Sequence, residues 1–485
     1  VQKLTRRSFA KLCGAAAAAN GLFGSRVFAA PSTPAPAFKR DVLGKIAPRP
    51  SKTIAASPLS VGFETLDRKM FLPERTYTWL GQLGVKWARC QTGWARTEQA
   101  KGVFDFAWLD GVVDSLRDVG VQPWFNLGYG NRLYTPDAPD ASAVGWVPSN
   151  SDEAQAAWIR YTGQIAEHFR DRVKHWEIWN EPNIRNFWKP TEPTPEGYVA
   201  LVKRTAPEIR KRISDAVIIG GAFAGMPLKY FQQCMELGLG EYVDKISYHP
   251  YRPIPEAKYE DEVRAWREVL AKYKPSLQLW QGENGCPSEP GGSGALANLK
   301  WTEATQARWL TRRILNDLRL GIEVTSYFHT VDMVNYNWGS GPSGKTNFKG
   351  LLRGTDYTPK PAYSAYQCLA ALFDAQTTRA EQTLTFAPAA GDAQPLDLAK
   401  LASAGFRRNG YALCAYWWPS KLPEDFASRS IRLTVNGAKL DQPVLIDPLT
   451  SEICRIEGVR QGDTWTFAQL PLVDYPLLLT DRALG

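Results

Sequence analysis

The sequence predicts an α/β protein, a (β/α)8 TIM barrel with a C-terminal β-sandwich module, and three observations lead there. Short β-rich runs alternate with amphipathic helical stretches eight times between residue 59 and about residue 375, the size and order of a closed parallel barrel. Beyond that point the period changes to short alternating runs of β-branched and aromatic residues separated by turn residues, as in a sandwich. The turn after the first run, Glu64-Thr65-Leu66-Asp67, lacks the glycines of a dinucleotide-binding fingerprint, which argues against an open doubly wound sheet.

Taken in order, the chain opens on Thr5-Arg6-Arg7-Ser8-Phe9-Ala10-Lys11, an Ala-rich run through Leu22 and Phe23, and small residues to Ala29-Ala30. This leader, residues 1–30, resembles a bacterial twin-arginine signal and implies export to the periplasm or beyond. Its apolar run is far short of the ~20 residues that span a bilayer, and no later run qualifies. Residues 31–58, rich in Pro, Ser, Ala and Lys, read as a linker. The barrel, residues 59–375, takes its strands from Ser60–Glu64, Val85–Cys90, Val121–Leu127, Val173–Trp179, Val217–Ala222, Lys245–His249, Leu277–Gly282 and Ile322–Phe328. Helical patterns such as Glu153–Phe169, Glu196–Ile213 and Glu303–Leu320 fall between them. The module, residues 380–485, holds about seven short strands, among them Tyr411–Trp417, Ile431–Val435 and Leu477–Leu479.

The chain has 485 residues and a formal charge of +9, a balance that raises nucleic acid or an acidic membrane as partners. The charge lies at the front, however: residues 1–30 carry five basic residues and no acid, and residues 31–52 five against Asp41 alone. The remainder is formally neutral and gives no support to a nucleic-acid partner. Seven cysteines and four histidines show no metal-ligand spacing, so a structural zinc site is not expected, and the two-carboxylate chemistry read below implies no metal or organic cofactor. The cysteines read as mostly buried free thiols, with room for one disulfide.

In a barrel of this kind reactive side chains project from the carboxyl ends of the strands. Strand four ends in Trp176-Glu177-Ile178-Trp179-Asn180-Glu181-Pro182 and strand seven in Trp280-Gln281-Gly282-Glu283-Asn284. Glu181 and Glu283 are 102 residues apart, three βα units, so they can converge across the mouth. Two carboxyl groups in an aromatic site suit glycosidic bond cleavage, in which one stays protonated to donate to the leaving oxygen and the other is ionised. Alone, Asn180-Glu181-Pro182 could also be a helix-capping turn. Glu177, two residues deeper on the same strand face, reads as a buried partner of a cation.

The strand-four Asn-Glu-Pro element with a strand-seven Glu283 resembles clan A of the glycoside hydrolases, and within it family 39, the β-xylosidase and α-L-iduronidase family. The resemblance covers about residues 59–375. It implies a retaining mechanism, with Glu181 the general acid/base and Glu283 the nucleophile. It makes Asn180 a hydrogen-bond partner of the sugar 2-hydroxyl and Arg89, at the end of strand two, the cation that orients Glu283. His249 and Tyr251, after strand six, are offered as further donors near the nucleophile, with the choice between them open. A pentoside such as xylose is the sugar the family favours.

Substrate contacts are sought in the loops. Trp94, Trp146, Trp188, Trp301 and Trp338 follow strand ends, where an indole can stack on a sugar face. Trp338 is the preferred platform, with Asn126 and Tyr129 after strand three as secondary candidates. The expected protein is an exported retaining glycoside hydrolase acting on plant or microbial oligo- or polysaccharide. Its rivals are a carbohydrate-binding barrel without catalysis and a transglycosidase using the same carboxylates. Oligomeric state is not legible.

Overall fold

The structure, a computed structural model, describes residues 40–390 and 396–485. The twin-arginine leader and the start of the expected linker lie outside the described residues. Eight parallel strands close the barrel: Leu59–Gly62, Trp87–Gln91, Gln122–Leu127, His175–Ile178, Val217–Ala224, Lys245–His249, Gln278–Asn284 and Val324–Tyr327. They are numbered one to eight below. The last pairs with the first, Leu59 opposite Thr325, which removes every sheet edge. This is the expected barrel class.

Side-chain alternation sorts the interior into layers. Trp87, Trp124, Ile219, Trp280 and Val324 form an apolar floor, with His175 stacked on Trp280 at a centroid distance of 5.6 Å. Two residues further along the strands the inward positions become polar: Arg89, Asn126 and Glu177 are all fully buried. Apolar packing thus closes the bottom, and charge is confined to the layer beneath the mouth.

Local signals fix the surrounding helices. Ser151 caps Asp152–Phe169 by accepting from Ala154 N, and Thr194 caps Pro195–Arg212, whose first position is proline. Glu303–Arg319 starts with a reciprocal Thr302/Thr305 capping box. No helix among the described residues is long and apolar enough to cross a membrane.

The C-terminal region contains two antiparallel sheets. One has seven strands in the order Val42–Lys45, Glu452–Arg455, Pro443–Asp447, Leu477–Asp481, Tyr411–Trp417, Ala402–Arg408, Thr377–Arg379. The other has four, Thr383–Pro388, Arg429–Asn436, Thr464–Leu472 and Val459–Gln461. Alternation on Tyr411–Trp417 sends Cys414 and Tyr416 into the core between the sheets and Leu413, Ala415 and Trp417 into the core shared with the barrel. A buried ion pair within the barrel, Arg312 Nη2 to Glu256 Oε2 at 2.6 Å, is met by the C-terminal part: Trp417 Nε1 donates to Glu256 Oε1 at 2.6 Å and Arg312 Nη2 donates to Ser420 O at 3.0 Å.

The expected linker needs correction from residue 40 onward. Val42–Lys45 adds an edge strand beside Glu452–Cys454, Arg49 forms an ion pair with Asp374 at 2.5 Å, and Ile46, Ser51 and Ile54 are buried. Composition suggested a tether, but a four-residue edge strand followed by a short 3-10 turn leaves little periodic signal. The six cysteines of the described residues are free and buried.

Candidate active site

Strand four ends in a turn that leaves Trp179 and Glu181 with positive φ, 68° and 46°, a conformation that non-glycine residues adopt only when neighbours hold it. Here the neighbours are identifiable. Trp179 N donates to Leu127 O and Glu181 N to Ala222 O, tying the turn to strands three and five. The Asn126 amide donates to Trp179 O at 2.6 Å, and Asn183 bonds both ways with the backbone of Ala224. The turn thereby lifts the Glu181 carboxyl out of the barrel wall.

Strand seven delivers Glu283 through a register irregularity between Gln281 and Asn284. Gly282 lies against strand six so closely that a β-carbon there would overlap Ser247 Oγ and approach Glu177 Oε1 to 3.3 Å. One carboxylate oxygen of Glu181, one of Glu283 and a ring nitrogen of His249 all lie within 4.8 Å of one another.

Arg89 organises the layer below. Its Nη1 donates to Glu283 Oε2 at 2.8 Å and to Glu64 Oε1 at 3.2 Å, and its Nη2 to Asn180 Oδ1 at 2.8 Å. Its Nε and Nη2 both donate to Glu177 Oε2, at 2.8 and 2.5 Å. The Tyr251 hydroxyl donates to Glu283 Oε1 at 2.9 Å, so both oxygens of Glu283 are held. His249 Nδ1 is 3.0 Å from Glu181 Oε1 and 3.8 Å from Glu283 Oε2, so of the two residues left open after strand six, Tyr251 stands against Glu283 and His249 against Glu181. With both Glu283 oxygens committed to N–H and O–H donors, the Glu181–His249–Glu283 group suits proton chemistry better than cation ligation.

The two carboxyl groups are electrostatically unequal. Burial, with the charge of Glu283 adding to it and Arg89 opposing, pushes the Glu181 carboxyl well above the usual range. Burial also raises Glu283, but Arg89 and the Tyr251 hydrogen bond pull it back. Burial, with Arg89 next, holds His249 well below the usual histidine range, so it is a neutral ring at neutral pH.

Above these groups lies an open cavity at the barrel mouth. Tyr129, Phe187, Phe328, Tyr336 and Trp338 supply its aromatic walls, and Asn180, Glu181, Tyr251 and Glu283 part of its polar side. Trp338 is 37% exposed and is held by Nε1 donating to Ser293 Oγ at 2.8 Å. Trp94, Trp188 and Trp301 are buried under loops, and Trp146 is mostly so. Asn126 requires correction: it is fully buried, does not line the cavity, and donates to Glu177 Oε2 and Trp179 O. Its register opposite Glu177 puts it one layer too deep to reach sugar. Sequence reasoning also missed Glu64, Arg68, Gln91, Asn347 and Lys349, all of which line the cavity. Only Glu64 carried a signal, a carboxyl at the end of strand one.

A (β/α)8 barrel with paired carboxyl groups at the ends of strands four and seven is the arrangement that the resemblance to clan A of the glycoside hydrolases implies. The sequence model for glycosyl hydrolases family 39 matches residues 75–278, from Arg89 through Asn180, Glu181, His249 and Tyr251, and stops five residues before Glu283. Over this stretch the chain is similar to that family. It is 25% identical over 306 residues to a β-xylosidase of Caldicellulosiruptor saccharolyticus, an alignment covering 55% of this chain and 56% of the relative. Thus the chain spans about half the length of that curated relative. Among solved structures it resembles a family 39 glycoside hydrolase from Bacteroides cellulosilyticus WH2, with TM-score 0.63, 20% identity, and coverage of 89% of this chain and 81% of that one. A monomeric β-xylosidase from Caulobacter crescentus CB15 superposes with TM-score 0.61 at 16% identity over 90% of this chain and 98% of that one. At these identities the structural likeness speaks for the fold.

Proposed function

We propose that this protein is a retaining glycoside hydrolase. Glu283 attacks the anomeric carbon, Glu181 protonates the departing oxygen, and Glu181 then deprotonates the water that releases the sugar. The observation that carries this reading is the approach of a Glu181 oxygen to within 4.8 Å of a Glu283 oxygen. Retaining enzymes hold the two carboxyl groups ~5–5.5 Å apart, whereas inverting enzymes need ~6.5–9.5 Å to seat a water between them. The unequal environments fit the roles, since the acid keeps its proton and the nucleophile is tied to a guanidinium. The cavity's aromatic walls suit a sugar residue, and the β-xylosidase relative points to a xyloside. A panel of aryl glycosides tests the reading: at least one is turned over, and Glu283→Ala and Glu181→Ala each lower that turnover by ~100-fold or more. Near wild-type turnover in both variants would sink it.

One observation favours a second substrate reading. Lys349 is buried on the cavity wall, its one hydrogen bond runs 3.3 Å to Asn347 Oδ1, and among the described residues no carboxylate forms an ion pair with it. Lys360, by contrast, meets Asp332 at 2.7 Å. Burial lowers the Lys349 amine to about 8, which leaves it mostly cationic at neutral pH. A buried ammonium that feels Glu283 and Asp332 but has no direct ion pair favours a sugar that carries a carboxylate. Lys349→Met then cuts kcat/KM for an aryl glycuronide at least ~30-fold more than for the matching xyloside. Equal losses would leave the xyloside reading. Export of the protein is part of the proposal as well, and rests on the twin-arginine pattern. Replacing Arg6 and Arg7 by Lys should retain the protein in the cytoplasm, and unchanged export would refute it.

A further inference from the structure

Glu64 is a buried carboxyl that the two-carboxylate mechanism leaves unused. It follows strand one, is 1% exposed, and lines the cavity. Its Oε1 accepts from Arg89 Nη1 at 3.2 Å, the same nitrogen that donates to Glu283 Oε2 at 2.8 Å. Arg89 gives its remaining contacts to Glu177 and Asn180. One guanidinium therefore faces three carboxyl groups where water is excluded, and Glu64 has the longest contact of the three. Glu64 Oε2 is buried with no hydrogen-bond partner.

Arg89 is the one arginine or lysine in ion-pair contact with Glu64 among the described residues; Arg68 and Lys349 line the same cavity, Arg68 held by Asp67 and Gln91 and Lys349 by Asn347. Strand two contributes Arg89 and Cys90, strand four Glu177 through Arg89, and strand seven Glu283. After strand six stands Tyr251, and after strand eight Tyr336 and His329, whose Nε2 is 3.6 Å from Glu64 Oε2. Burial lowers His329 to about 4, so it is neutral, and burial raises Cys90, Tyr251 and Tyr336 above their usual ranges. Like charges sharing a buried site cannot all ionise, and the group with the weakest hold on the cation keeps the proton.

We propose that Glu64 is a positioning residue that carries a proton in the active free enzyme, leaving Arg89 Nη1 to Glu283, and that losing this proton in mild alkali draws the guanidinium off the nucleophile and stops the reaction. The inference rests on the reading of Glu283 as the nucleophile. Burial, opposed by Arg89 and reinforced by the Glu283 charge, pushes the Glu64 carboxyl up to about 8, which places the transition in an accessible range. Glu64→Gln supplies an amide of the same shape as the neutral acid and cannot lose the proton.

The test uses dinitrophenyl glycosides, whose departure needs no proton from Glu181, so that any alkaline fall in kcat/KM belongs to another group. Wild-type kcat/KM should fall about tenfold between pH 7 and pH 9, and this fall should vanish in Glu64→Gln. An unchanged fall in Glu64→Gln would overturn the proposal. Infrared spectroscopy decides it without turnover. In Glu181→Gln a protonated-carboxyl band should persist at pH 7, titrate near pH 8, and be missing from the Glu181→Gln/Glu64→Gln double variant. Absence of such a band in Glu181→Gln would overturn the proposal even where Glu64→Gln is inactive. A titrating band in a protein that turns over no glycoside would fault the hydrolase reading and leave the proton on Glu64 standing.

Discussion

Arg89 gives the site its electrostatic asymmetry, because one guanidinium orients Glu283, Glu64, Glu177 and Asn180 together. Removing the Tyr251 hydroxyl leaves Glu283 with Arg89 as its remaining hydrogen-bond donor. Tyr251→Phe should therefore lower kcat by ~10–100-fold with a smaller effect on KM, measured on the best aryl glycoside. Asn126→Ala should act differently. It strips a buried amide from Glu177 Oε2 and Trp179 O, and should cost about 1–3 kcal/mol of stability by chemical denaturation. Glu181 and Glu283 are legible in the sequence because each sits at a strand end with a recognisable neighbourhood. Asn126 was misplaced because a side chain's depth along a strand depends on register with its neighbours, which a single strand does not reveal. Lys349 escaped notice because it lies in a long loop after strand eight, with no motif around it.

At the level of elements, the barrel strands and most helices were legible from their period. Strand seven runs Gln278–Asn284 against an expected Leu277–Gly282. Three of the four edges of the C-terminal sheets were not: Val42–Lys45, Thr377–Arg379 and Val459–Gln461 are three or four residues long and largely exposed, so they lack the buried face that creates an alternating pattern. Strand seven also depends on a contact that no sequence pattern announces. Gly282 leaves room for Ser247, and Gly282→Ala should push strand seven off strand six and displace Glu283. A loss of at least ~10-fold in kcat with a measurable drop in Tm is expected. The double variant Gly282→Ala/Ser247→Gly should recover part of it by removing the hydroxyl.

Across the whole molecule, buried titratable groups set opposing limits on pH stability. Glu64 is raised in the folded state, so its contribution is full in acid and is lost as pH climbs from the ordinary glutamate range through about 8. Burial lowers His175 and His329 to about 4, so their contribution is full above about 6.5 and is lost as pH falls toward 4. Tm should peak between these limits, and Glu64→Gln should flatten its decline on the alkaline side. At the join between barrel and sandwich, Arg312, whose side chain is fully buried against Glu256, donates to Ser420 O while Trp417 donates to Glu256. Glu256→Ala leaves that charge without its partner and should cost about 3–5 kcal/mol, read as a lower Tm or as separate unfolding of the two parts. The central claim is that Glu283 forms a bond to sugar. Its most direct test is incubation with the 2-deoxy-2-fluoro analogue of whichever glycoside is turned over, followed by peptide mass spectrometry. A single adduct on the peptide containing Glu283 is expected; no adduct, or one on another carboxyl, would contradict the account.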